Sequence, residues 1–193
     1  MIVSSSVKIY NASHMKNLFA IKGLGVTVIT LLSIINLAGA QTPEKRLEEL
    51  KFVVPKSAPS ANNYIASVRT GNLVFLSGKG PKDLNGSYVK GKLGKELTLA
   101  DGKQAAMLVA LAQIGELKTL LGDLSKVKRI VKVNGFVNSM AYFTDQSAVI
   151  DGYSDLMVAV FGEAGKHART AVGVASLPLN MALEIEMVVE VQP

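Results

Sequence analysis

The sequence predicts an α/β (α+β) domain, a mixed sheet with two helices on one face. Three observations carry this. Two stretches, 99–121 and 145–161, repeat apolar residues at helical spacing. Three others, 129–138, 168–175 and 182–191, are rich in β-branched or alternating residues. Turn signals at 70–72 and 176–180 join strands as hairpins. Two helices can cover only one face of such a sheet, so the other must meet solvent or another subunit.

Taken in order, residues 1–40 read as a targeting segment. Lys16 and Lys22 precede an apolar run from Leu24 to Leu37, which ends in Ala38-Gly39-Ala40 before Gln41-Thr42-Pro43. This is the basic, apolar, small-x-small layout of a secretory signal, with cleavage expected near Ala40/Gln41 and a periplasmic or secreted destination. The run is shorter than the roughly 18–20 residues of a spanning helix. An uncleaved anchor is the alternative. Cleavage would leave no stable membrane partner. The start is Met1 or Met15, because Met15-Lys16-Asn17 reads as an ordinary signal beginning. Residues 41–54 are expected as an arm, with a short helix at Glu44 to Leu50, and residues 55–193 as the domain.

Within the domain, Tyr64 to Arg69 and Leu73 to Ser77 flank Thr70-Gly71-Asn72, a hairpin signal. Thr98 with Asp101 three residues later forms a capping box for the first helix, and Gly122 suits its stop. Thr144 is the expected cap of the second helix, which Gly162 ends. In the last strand Leu183, Ile185, Met187, Val189 and Val191 point one way, and Glu184, Glu186 and Glu190 the other. Val188 interrupts the acidic side, a sign that this side is partly covered.

Composition narrows the chemistry. The chain has no cysteine, which removes disulfide and thiolate chemistry, and there is no Cys/His cluster at metal-ligand spacing. The net charge of +6 includes Lys8, Lys16 and Lys22. Without residues 1–40 the count is 18 basic against 15 acidic residues, spread along the chain. Aromatics are not interleaved with basic residues, so no nucleic-acid partner is expected. His167 is the one histidine beyond residue 40, which rules out a histidine pair for acid–base work.

Arg169 is the most informative residue. It shares a strand face with Ala171, Gly173 and Ala175, while Thr170, Val172 and Val174 are expected to face the core. A row of small side chains leaves room beside a planar, permanently charged fork, which suits a carboxylate or phosphate. The plainer alternative is a surface arginine paired with a nearby acid. Ser77-Gly78 at a strand end offers a hydroxyl or a backbone amide, or is a simple strand end. Glu184 and Glu186 share a face and could position a water, or line a solvated sheet.

Several of these residues resemble one family. Ala58-Pro59 with Tyr64, then Gly71-Asn72-Leu73-Val74-Phe75-Leu76-Ser77-Gly78, resembles the opening of the RidA/YjgF family (endoribonuclease L-PSP, chorismate-mutase-like). Ala168-Arg169-Thr170-Ala171-Val172-Gly173-Val174-Ala175-Ser176-Leu177-Pro178, followed by Glu184-Ile185-Glu186, resembles its C-terminal signature. The resemblance spans about residues 55–191 and implies a chorismate-mutase-like fold, a homotrimeric barrel and ligand clefts between subunits. It also implies that Arg169 holds a substrate carboxylate and Glu184 a catalytic water, with Tyr64, Ser77 and Gly78 at the substrate. The implied reaction is deamination of a reactive enamine or imine to a 2-keto acid and ammonia, with no metal or organic cofactor. Lys79, Ala171 and Gly173 depart from the residues many members carry, and 82–97 is longer. The alternative function is a non-catalytic periplasmic protein binding small carboxylates. A ribonuclease is disfavoured by the single histidine.

Overall fold

The computed structural model of the chain describes residues 41–57, 63–83 and 85–193. The targeting segment and Ala58-Pro59 lie outside the described residues. Among the described residues, three α-helices and five strands follow in chain order: α1 (Pro43–Glu49), β1 (Ser67–Thr70), β2 (Leu73–Lys79), α2 (Leu99–Leu121), β3 (Val127–Asn138), α3 (Gln146–Phe161), β4 (Ala168–Val174) and β5 (Leu183–Val191). The strands form one sheet in the order β1-β2-β5-β3-β4. The β3–β4 pair is parallel, connected through α3, and the other pairs are antiparallel. The expected hairpin across 176–180 is therefore not formed. β5 passes beyond β3 and pairs with β2 on its other side, leaving β4 as a free edge.

Helices α2 and α3 cover one face. The start of α2 follows the sequence closely: Asp101 N donates to Thr98 Oγ1 (3.2 Å) and Thr98 N donates to Asp101 Oδ2 (2.8 Å). The start of α3 differs from expectation. Its N-cap is Asp145 rather than Thr144, and no side chain caps it. The Gln146 amide instead donates to the Phe143 carbonyl (2.6 Å). The two helices touch through backbone, since a Cβ on Gly152 would stand 2.2 Å from the Lys103 carbonyl oxygen. Val74, Leu76, Val133, Val137, Ile185, Met187 and Val189 of the sheet are buried against Val109 and Ile114 of α2 and Ile150 and Met157 of α3. Each such side chain contributes about 1.5–3 kcal/mol relative to exposure.

One polar relay crosses this core. The Tyr153 hydroxyl donates to Gln113 Oε1, and Gln113 Nε2 donates to the Ile185 carbonyl (2.8 Å). The relay satisfies both groups where an unpaired one would be costly, and it ties each helix to β5.

Within the segment 41–54, the short helix α1 is docked on the domain. Leu47 is buried, Arg46 Nη1 donates to the Val160 carbonyl (3.2 Å), and Glu44 Oε1 accepts from Leu124 N (2.7 Å). The heptapeptide helix has one apolar anchor and two charged ties, too little pattern for sequence alone to show a docking surface.

Candidate functional site

Among the described residues, no element covers the sheet face opposite the helices. Register places Val68, Phe75 and Val188 in one row across it. Asn134 pairs with Glu186 in the next row, and Phe136 with Glu184 and Val172 in the row beyond. Val68, Phe75 and Val172 are 53, 44 and 41% exposed, high for large apolar side chains in mid-strand. Between them lies a shallow depression lined by Phe75, Lys132, Asn134, Glu186 and Val188. Asn134 Nδ2 donates to Glu186 Oε1 (2.8 Å), and Lys132 Nζ donates to Thr170 Oγ1 (2.8 Å).

Glu184 stands at one end of this face, and a bulge in β2 brings Gly78 beside it. Leu76 pairs with Met187, but the next pairing is Lys79 with Ile185, so β2 carries one residue more than β5. Lys79 consequently turns to the helices, where its Nζ lies 3.3 Å from Glu116 of α2. Gly78 meets Glu184 directly: a Cβ at Gly78 would lie 2.0 Å from Glu184 Oε1. Among the described residues no donor is bonded to the Glu184 carboxylate. Burial, and secondarily the charge of Glu186, hold its pKa above the ordinary carboxylate range. The Ser77 hydroxyl donates to the Ile65 carbonyl (2.8 Å) and Ser77 N to the Ala66 carbonyl (2.9 Å). These bonds bring the segment carrying Tyr64, itself 58% exposed, beside the bulge. Tyr64, Ser77, Gly78 and Glu184 thus belong to one neighbourhood.

Arg169 does not belong to it. Register pairs Arg169 with Val133, and Ala171 with Gly135, which abuts Ile150 of α3. The Arg169–Ala171–Gly173 row therefore faces the helices, and Val172, 41% exposed, faces away from them, which reverses the expected orientation. The small residues are there because α3 passes close to the edge strand. A Cβ on Gly173 would lie 2.8 Å from both Gln146 Nε2 and Ser139 Oγ. The guanidinium, 22% exposed, is held by its own subunit: Nη1 donates to Asp151 Oδ1 (2.8 Å) and Ser154 Oγ (3.0 Å), and Nη2 to Ser147 Oγ (2.8 Å). Among the described residues the Arg169 guanidinium is turned onto α3 rather than into an open cleft, and Arg169 and Glu184 lie on opposite faces of the sheet.

Asp151, Ser147 and Ser154 were not singled out by sequence. Their spacing along α3 puts them on one stripe, but a polar stripe is also what a solvated helix face looks like. His167 joins the same cluster. Its Nδ1 lies 2.7 Å from the Gly165 carbonyl and its Nε2 3.0 Å from Ser154 Oγ. Burial first, and then the charge of Arg169, lower its pKa, which favours the neutral ring. Neutral His167 donates from Nδ1 to the Gly165 carbonyl and accepts the Ser154 hydroxyl proton at Nε2. Asp155 is raised by burial and by Asp151.

With this geometry established, comparison with known proteins is decisive. The YjgF/chorismate mutase-like endoribonuclease family matches residues 44–191. The chain belongs to that family. Among YjgF relatives, Protein TCP17 of Trypanosoma cruzi is 46% identical over 145 residues, covering 75% of this chain and 91% of its own length. The 2-iminobutanoate/2-iminopropanoate deaminase of Dermatophagoides farinae is 30% identical over 130 residues, covering 67% of this chain and 86% of its own. A solved structure of a protein of unknown function from Agrobacterium tumefaciens superposes with a TM-score of 0.72 at 42% identity, covering 78% of this chain and 94% of that one. The YjgF match starts at residue 44, inside α1, in keeping with the docking of that helix on the domain.

Proposed function

We propose that this protein is an exported homotrimeric deaminase that hydrolyses small 2-imino acids to 2-keto acids and ammonia, at sites shared between subunits. The observation that carries this reading is the Glu184 carboxylate. It is half-buried against Gly78, unbonded among the described residues, raised in pKa, and set on an uncovered sheet face. A raised carboxylate is a stronger base, suited to take a proton from water as the water oxygen bonds to the imine carbon. The resulting amino alcohol expels ammonia when the nitrogen is protonated and the hydroxyl proton departs, leaving the keto acid.

The division of the site supports assembly. Arg169 lies on the free-edge strand β4 and Glu184 on the opposite face two strands away, so no side-chain rotation unites them. A second copy can, if its β4 edge reaches the uncovered face of the first, burying Val68, Phe75 and Val172. The relative named as an imine deaminase supports the substrate class. The same separation also favours the second reading, a non-catalytic binder of small carboxylates, because Arg169 has no water-activating glutamate beside it in one chain.

One assay separates them. An amino-acid oxidase generates 2-iminopropanoate, and its survival is followed by semicarbazone formation. Deaminase activity accelerates its loss, and Arg169→Ala and Glu184→Gln each reduce that acceleration at least ~100-fold. Equal rates with wild type, variants and no protein would remove the deaminase reading. A monomer in sedimentation equilibrium would remove the shared site.

A further inference from the structure

The extra residue in β2 decides which glutamate Lys79 meets. Continued without a break from the Leu76–Met187 pair, the antiparallel register would set Lys79 opposite Glu184, on the face away from the helices. An ammonium there would pair with the carboxylate and make it a weaker base. With the extra residue, Lys79 pairs with Ile185 instead and its side chain turns to the helices. Gly78, which has no side chain, is left beside Glu184.

Turning a lysine toward a helix layer is costly unless its charge is met there. Glu116 of α2 meets it, with Lys79 Nζ 3.3 Å from Oε2. Glu116 is only 7% exposed. The Ser57 hydroxyl donates to the same Oε2. The chain before Ser57 lies against α2 at this point, since a Cβ on Gly115 would stand 2.2 Å from the Pro55 carbonyl oxygen. With little water around it, such a pair is screened less than an exposed one. Two glutamates on opposite sides of the sheet are thus within reach of one lysine, and the buried one holds it.

We propose that Glu116 is a positioning residue that keeps Lys79 off Glu184: it holds the lysine on the helix side, and with it the register that leaves the Glu184 carboxylate free. Glu116 acts through Lys79 and from the far side of the sheet. The inference rests on the reading of Glu184 as the base of the deaminase.

The test is Glu116→Leu in the full chain, followed by two measurements. The Gly78 hydrogen that stands where a Cβ would be lies against the Glu184 side chain, whose Cγ is 3.0 Å from that Cβ position. A nuclear Overhauser contact between Gly78 Hα and Glu184 Hγ is therefore expected in wild type selectively protonated at glycine and glutamate. Glu116→Leu should lose this contact, and kcat in the semicarbazone assay should fall about tenfold with KM little changed. Adding Lys79→Met should bring back both contact and rate, because two apolar side chains then face each other and no ammonium competes for Glu184. Glu116→Gln still accepts from Ser57 and should act in the same direction, which covers a Glu116→Leu chain that does not fold. The contact retained in the Glu116 variants overturns the proposal. So does its absence from wild type, or the failure of Lys79→Met to restore it. The contact is read without turnover, so a protein that shows this pattern but does not consume 2-iminopropanoate refutes the deaminase reading alone.

Discussion

Replacing Gly78 with alanine separates the role of Glu184 from the stability of the fold. The added Cβ would sit 2.0 Å from Glu184 Oε1, 2.9 Å from its Cδ and 3.0 Å from its Cγ. Ordinary contact begins near 3.4 Å, so the carboxylate oxygen must move about 1.4 Å. The backbone at Gly78 is not left-handed, so alanine is allowed there. What must yield is the end of a flexible side chain, at about 0.5–1.5 kcal/mol for an off-rotamer glutamate. Displacement of a catalytic group by about 1 Å costs roughly 100-fold in rate. The expected result is a fall of about 100-fold in the semicarbazone assay with less than about 1.5 kcal/mol lost in urea unfolding. The double variant with Glu184→Gln should be no slower than Glu184→Gln alone, because both changes act through one carboxylate. A Gly78→Ala protein with wild-type turnover, or one whose loss adds in full to that of Glu184→Gln, would refute the placement of Glu184 as the base.

Three further outcomes follow from the same contacts. Glu184 acts ionised and its folded pKa is raised, so the acid limb of kcat/KM should fall at a pH above the ordinary carboxylate range. Glu186→Gln removes the like charge and should shift that limb to lower pH, leaving the plateau in place. His167 has a lowered folded pKa, so below its unfolded value the unfolded chain binds the proton more readily. Stability should therefore decline as pH falls through that unfolded value, and the decline should be smaller in His167→Gln, measured by urea titration across pH 5 to 8, roughly. Tyr153→Phe strands Gln113 Oε1 in the core and should cost about 1–3 kcal/mol by denaturant unfolding.

The parts legible in the sequence were those set by local chemistry. Thr98 and Asp101 announce the start of α2, and the alternation from Leu183 to Val191 sorts β5 into a buried row and an acidic row. Both patterns are strong because one choice of face buries every apolar residue. The β4 strand is different. Its two rows, Arg169–Ala171–Gly173 and Thr170–Val172–Val174, differ little in hydrophobicity, and alternation alone cannot say which faces inward. The row with more methyl groups was the natural choice for the core. α3 reverses it by passing so near the edge that only small side chains fit beneath it. The pairing of Asp151 with Arg169 was hidden for a related reason, since it depends on how a parallel crossover lays a helix over a strand 18 residues away. Likewise, only the strand order β2-β5-β3 reveals that the 176–180 connection joins strands that are not neighbours.

The extra residue between Leu76 and Lys79 makes this region sensitive to deletion in a way that substitutions do not expose. Removing one residue there would bring β2 back into step with β5, leaving Lys79 on the helix side, two positions after Leu76, but only one residue where Ser77 and Gly78 now stand. The lysine would keep Glu116, but the glutamate at 184 would lose the bare backbone that the bulge now sets beside it. Related proteins that keep this chemistry should therefore vary in length freely across 82–97 but hold the count from 73 to 79 constant.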